Sequence, residues 1–82
     1  MVKHVIRKIW TDELDLQEFS DDDDFFSLGG HSLIMTKIQL RIKREIGLAI
    51  PMDDLFRHAT INRISDYVAA GLSASSLSTV GA

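Results

Sequence analysis

Val2, Val5, Ile6, Ile9 and Trp10 recur at spacings of three and four, with Lys3, Arg7 and Lys8 between them. That spacing marks one buried stripe, so it predicts a first helix from Val2 to about Glu13. After Leu14 the pattern dissolves into DLQEFSDDDDFFSLGG, a long acidic loop whose Leu16, Phe19, Phe25, Phe26 and Leu28 are expected to pin it to the core. A loop of that length in a small domain points to function. Helical periodicity returns near Ser32 and stops at Gly47, a residue suited to the left-handed position past a helix end, with Lys43 and Arg44 complementing the negative end of the dipole. Pro51 is expected at the first position of a short helix, with Asp53 and Asp54 in its first turn and Leu55 and Phe56 turned to the core. A last helix runs from a Thr60 cap through Ile61, Ile64, Tyr67 and Val68 to Gly71. Beyond it LSASSLSTVGA is uncharged and rich in serine, which reads as a flexible tail or linker over 72–82 and leaves 1–71 as the domain.

No segment alternates with period two for long enough to make a strand, and there is no internal repeat. The fold class is therefore all-α: a small bundle of three main helices and one short one, with the long loop between the first two. Eighty-two residues allow a single core, since a chain this short buries only about 60% of its unfolded surface. Hydrophobic residues at 45% against 26% charged argue for a folded chain over a disordered one. No apolar run approaches the roughly 20 residues of a membrane span. MVKHVIRKIW lacks the apolar stretch of a secretory signal, and there is no cysteine for a disulfide or thiolate metal site. A monomer in the cytoplasm, with no membrane partner and no metal, is the expectation.

Charge is unevenly spread. The net charge is −3, and eight of the twelve acids lie between Asp12 and Asp24. The second helix instead carries Lys37, Arg41, Lys43 and Arg44 against Glu45 alone. An acidic total with one short basic stripe argues against nucleic-acid binding. The aspartate run does not read as a calcium loop either. Starting an EF-hand at Asp21 puts Phe26 where glycine is required and Ser32 where the bidentate glutamate belongs. It reads instead as a solvated acidic loop.

The candidate chemistry sits in Leu28-Gly29-Gly30-His31-Ser32-Leu33, at the mouth of the second helix. Ser32 could be a helix cap, with the glycines forming a tight turn into the helix. A hydrolase nucleophile fits poorly. The elbow motif needs glycine two residues after the serine, where Ile34 stands, and His31 as a sequence neighbour splays away from Ser32. No catalytic residue is expected. Attachment of an anionic group is physically favoured, because the first turn gathers free N–H groups and the positive end of the dipole, and Gly30 leaves room for a modifying enzyme. The residues alone leave cap and tether both open.

At about 100° per residue, Ile34, Met35, Ile38, Ile42 and Ile46 share one face of the second helix, the expected core face. Leu33 and Leu40 fall together on the other side, flanked by Thr36, Lys37, Lys43 and Arg44. Two aligned leucines ringed by cations suggest an apolar anchor with a polar rim for partner proteins. The other expectation is that they pack beneath the long loop. A docking face of this size would be weak and transient.

DDFFSLGGHSL closely resembles the core motif of the peptidyl carrier (thiolation) domains of non-ribosomal peptide synthetases. IRKIW looks like that family's first helix, DDDDFF like its acidic-aromatic lead-in, RIKREIGLAIP like the end of its second helix, and DLFRHATINRISDYV like its third and fourth. The resemblance implies that Ser32, flanked by Gly30 and His31, receives 4′-phosphopantetheine from coenzyme A, and that the arm's thiol carries aminoacyl or peptidyl thioesters. It implies a non-catalytic role in making peptides such as antibiotics or siderophores. The implied partners are a phosphopantetheinyl transferase and adenylation, condensation and thioesterase domains, with Leu33, Thr36, Lys37 and Leu40 as docking residues. Histidine before the serine and a basic second helix are similar to the peptidyl type; fatty-acid and polyketide carriers typically have aspartate and an acidic helix there. One departure is DELDLQEF, which lacks the glycines that many relatives place after the first helix. The alternatives are an acyl carrier of a polyketide or hybrid pathway and, in another class, an unmodified helical interaction bundle with Ser32 as a cap.

Overall fold

The apolar stripes draw four helices around one core, in the order α1 (Val2–Leu14), α2 (Ser32–Ile46), α3 (Met52–Arg57) and α4 (Ile61–Gly81). A computed structural model describes residues 2–81, with side chains through Leu72. Among the described residues no strand occurs. Ile6, Ile9 and Trp10 of α1 meet Met35, Ile38 and Ile42 of α2 and Ile61, Ile64 and Val68 of α4, and Leu55 of α3 completes the same core. Helix α1 packs on both α2 and α4, while α3 lies on α2. Val2, Val5, Ile34 and Ile46 flank the core, half-buried.

Several helix ends follow the expected local chemistry. Gly47 is left-handed at φ 90°, and its N–H reaches Ile42 O and Lys43 O. Thr60 Oγ1 accepts from Arg63 N at 3.1 Å and so caps α4. Others differ. Pro51 is the N-cap of α3 rather than its first helical residue. Phe56 packs against the core as expected but is only half-buried, and its ring also stacks on Phe26 with centroids 5.5 Å apart. Gly71 does not end α4. Leu48 lies against it, and Leu72, one residue further, packs on the core, so burial continues past the glycine and the helix continues with it. The expected tail, 72–82, falls largely outside the residues whose side chains are described.

Polar contacts fix the helix pairs. Arg41, with its side chain 18% exposed, joins α2 to α1 by reaching Asp12 at 3.0 Å and Glu13 at 3.4 Å, and it also meets Glu45 at 2.9 Å. The Arg41 hydrogen bond, aided by Lys8, holds the Asp12 carboxyl below its usual range. Its contribution to stability is therefore present at neutral pH and lost as pH falls through the lowered value. Tyr67 of α4 donates to Asp54 of α3 at 2.6 Å, and this bond raises the phenol above its ordinary pKa. The bond requires the protonated phenol, so its contribution disappears as pH rises through the raised value. Tyr67 is the single tyrosine. An alkaline absorbance titration should therefore give one midpoint above about 10, moved down by Asp54→Asn.

Candidate functional site at the head of α2

The four aspartates of the run are exposed or half-buried, and each also accepts a hydrogen bond. Asp21 accepts from Arg7 Nη1 at 2.6 Å, and Asp22 accepts from Asn62 Nδ2 at 2.5 Å. Asp23 accepts from the backbone of Ser20 at 2.8 Å, and Asp24 from that of Phe26 at 2.9 Å. The last two are local Asx-type turns, which aspartate favours because its short side chain reaches its own backbone. The acidic loop is thus solvated, as expected, and these bonds fix its conformation as well. Arg7 does further work: it donates to Phe19 O and stands 4.4 Å above the Phe19 ring.

The loop's hydrophobic residues divide. Phe25 is fully buried against Trp10, with ring centroids 5.5 Å apart, and its N–H bonds Ala59 O at 2.8 Å. Phe19 and Leu28 are half-buried against the core, whereas Phe26 is 52% exposed. After Phe25 the chain turns tightly, with Gly29 N bonding Phe26 O and Gly30 N bonding Phe25 O. Gly29 adopts φ 89°, a region hostile to side chains. Gly30 lies against the Phe25 ring, where an added Cβ would collide with ring carbons. Gly30→Ala should therefore lower stability by about 1–3 kcal/mol through overpacking, measurable as a lower thermal midpoint.

That turn delivers the chain to α2. His31 is the N-cap, extended at φ −151° and ψ 177°, and no side chain caps the helix. Ser32 is the first helical residue, so the capping role does not fall to it. Its carbonyl accepts from Thr36 Oγ1 at 3.0 Å, and its hydroxyl is not engaged in a described hydrogen bond. His31 and Ser32 are both exposed and share no hydrogen bond among the described residues. There is no carboxylate in the first turn of α2. Free N–H groups, an uncompensated dipole and an exposed hydroxyl therefore coincide at Ser32. This arrangement fits a phosphodiester-linked group, whose negative charge suits a helix N-terminus.

Leu33 and Leu40 are 62% and 60% exposed, so neither is covered by the loop. Thr36 and Lys37 are exposed beside them. Arg41, counted in the basic stripe, turns instead to the acids of α1. Two features escaped the sequence reading. The exposed Phe26–Phe56 stack had a signal in the paired phenylalanines, but its orientation depends on α3. Asn62 carried no signal at all, because its partners lie about 40 residues earlier in the chain.

The chain matches the family model described as phosphopantetheine attachment site over residues 4–68. It is 40% identical over 70 residues to surfactin synthase subunit 3 of Bacillus subtilis (strain 168), covering 85% of this chain and 6% of that protein. It is 40% identical over 63 residues to gramicidin S synthase 2 of Brevibacillus brevis, covering 77% of this chain and 1% of that protein. The chain thus spans a small fraction of these relatives' own lengths. Among solved structures, it is similar to a chain in the complex of the phosphopantetheine transferase Sfp with coenzyme A and a peptidyl carrier protein, with TM-score 0.82 and 30% identity, covering 85% of this chain and 91% of that one. It is also similar to BlmI, a type-II acyl-carrier-protein from Streptomyces verticillus involved in bleomycin biosynthesis, with TM-score 0.82 and 27% identity, covering 87% and 86%.

Proposed function

We propose, on the premise that this chain belongs to the phosphopantetheine attachment family, that Ser32 is its attachment residue and that the chain is a peptidyl carrier domain. The observation that carries this reading is an exposed serine hydroxyl at the uncapped head of α2, inside the G-G-H-S-L motif. In the transfer, Ser32 Oγ loses its proton to a base on the transferase and forms a new P–O bond. The pyrophosphate bond of coenzyme A breaks, and adenosine 3′,5′-bisphosphate leaves with the electron pair. When bound, 4′-phosphopantetheine supplies a thiol that holds aminoacyl or peptidyl groups as thioesters. The protein's part is to present the hydroxyl, favour the negative charge at the helix head and offer a recognition face. It is not itself an enzyme.

The proposed partners are a phosphopantetheinyl transferase and the adenylation, condensation and thioesterase domains of a cytoplasmic synthetase. Residues 1–72 form the carrier, since Leu72 still packs on its core. Leu33 and Leu40, exposed on one side of α2 beside Thr36 and Lys37, are the docking anchors. Leu33→Glu and Leu40→Glu should slow loading or condensation about tenfold or more, as loss of a desolvated anchor does, with little change in the helical circular dichroism signal. The test of the reading itself is incubation with a transferase and coenzyme A: the intact mass should rise by one prosthetic group, and an unchanged mass would refute it. The likeness to BlmI favours an acyl carrier as the second reading. The kind of acid that becomes thioester-linked in reactions with cognate loading enzymes separates the two.

A further inference from the structure

The first turn of α4 lies far from Ser32 in sequence, yet an unbroken chain of contacts joins them. Asn62 N donates to Asp21 O at 3.1 Å, satisfying one of the N–H groups that a helix start leaves free. Asn62 Nδ2 donates to Asp22 Oδ1 at 2.5 Å. On the other flank, Arg7 of α1 grips the Asp21 carboxylate and Phe19 O. Beyond this double grip, Phe25 N is tied to Ala59 O just before α4. Asp24 then shapes the turn that follows, Gly30 N returns to Phe25 O, and the next residues are His31 and Ser32. From residue 19 to residue 30 the loop is anchored to α1 and to the start of α4, and it hands its position to the head of α2.

The geometry points to Asn62 as a positioning residue for Ser32: with Asp22 it clasps the acidic loop to α4 and keeps the attachment turn in the conformation a transferase must meet. This rests on the reading of Ser32 as the attachment residue. The clasp touches neither the hydroxyl nor any reacting atom, so its effect is on the fraction of carrier molecules that present the turn correctly. A reduced competent fraction weakens apparent affinity by that fraction and leaves turnover of the bound complex intact. KM for the carrier should therefore rise while kcat holds, a split that a defect in chemistry does not produce.

The experiment uses the full chain as varied substrate for a phosphopantetheinyl transferase with saturating coenzyme A. Asn62→Ala and Asp22→Ala should each raise KM about tenfold with kcat within about twofold, as expected for loss of a bond to a charged group. Amide exchange over residues 28–33 should quicken in both variants. Asp22 is exposed, so Asp22→Ala carries the test even if Asn62→Ala does not fold. The exchanged pair, Asp22→Asn with Asn62→Asp, restores one donor opposite one acceptor and should bring KM back to within about twofold of wild type. Wild type modified normally, with KM and exchange unchanged in the single variants, overturns the clasp alone. Failure of the exchanged pair to recover KM also counts against it. A wild-type chain that is never modified overturns the reading on which it rests.

Discussion

Ser32→Ala should abolish modification completely while leaving the fold intact. Ser32 is exposed, caps nothing, and enters the described hydrogen bonds only through its backbone carbonyl, which alanine retains. Alanine is also the best helix former, so its substitution at the first helical position carries no propensity penalty. With coenzyme A and a transferase, the variant should keep its unmodified mass at every time point, and its circular dichroism spectrum and thermal midpoint should match wild type. Retention of the mass gain would mean that another hydroxyl is the target. A collapsed midpoint would mean that Ser32 does structural work absent from the geometry.

Phe25→Ala should have the largest effect on stability. The ring is fully buried, meets Trp10 edge-on, and fills the space beneath Gly30. Removing a buried aromatic ring costs about 3–5 kcal/mol through lost burial and the cavity left behind. A domain of this length has roughly 4–12 kcal/mol in total, so the variant should sit near the edge of unfolding at room temperature. Trp10 is the single tryptophan, and its fluorescence during denaturant titration reads the core directly. The expected result is a large fall in midpoint. A change below about 1 kcal/mol, the ordinary effect of a surface or conservative substitution, would show that Phe25 is not the keystone between core and attachment turn.

The helices were legible because their signals are local. The three- and four-residue spacings that predicted α1 and α2 also named most of their buried residues, and Gly47 and Thr60 act as the end signals they resemble. Pro51 differs from the expectation by a single position at a helix boundary, whereas the role of Gly71 is set by what packs nearby. Leu48 and Leu72 hold α4 together past a glycine that local propensity treats as a stop.

The site was legible in its motif and opaque in its support. Gly30-His31-Ser32 could be found by resemblance, but the reason for Gly30 lies in the Phe25 ring. The reason for the aspartate run lies partly in Arg7 and Asn62, on different helices. Composition makes DDDDFF look like a solvated strip with two aromatic anchors. In the fold, the strip is solvated but each aspartate also has a named partner, one aromatic is buried, and the other is exposed on Phe56. Periodicity cannot reveal pairings across such separations, because they exist only after the helices have docked.

Site-mapped mass spectrometry is the most direct test of the central claim. After reaction of the whole chain with coenzyme A and a transferase, proteolysis and peptide fragmentation should find the prosthetic group on Ser32 alone, with Ser27 and Thr36 unmodified. An arm on either of those neighbours, or on no peptide, would contradict the account.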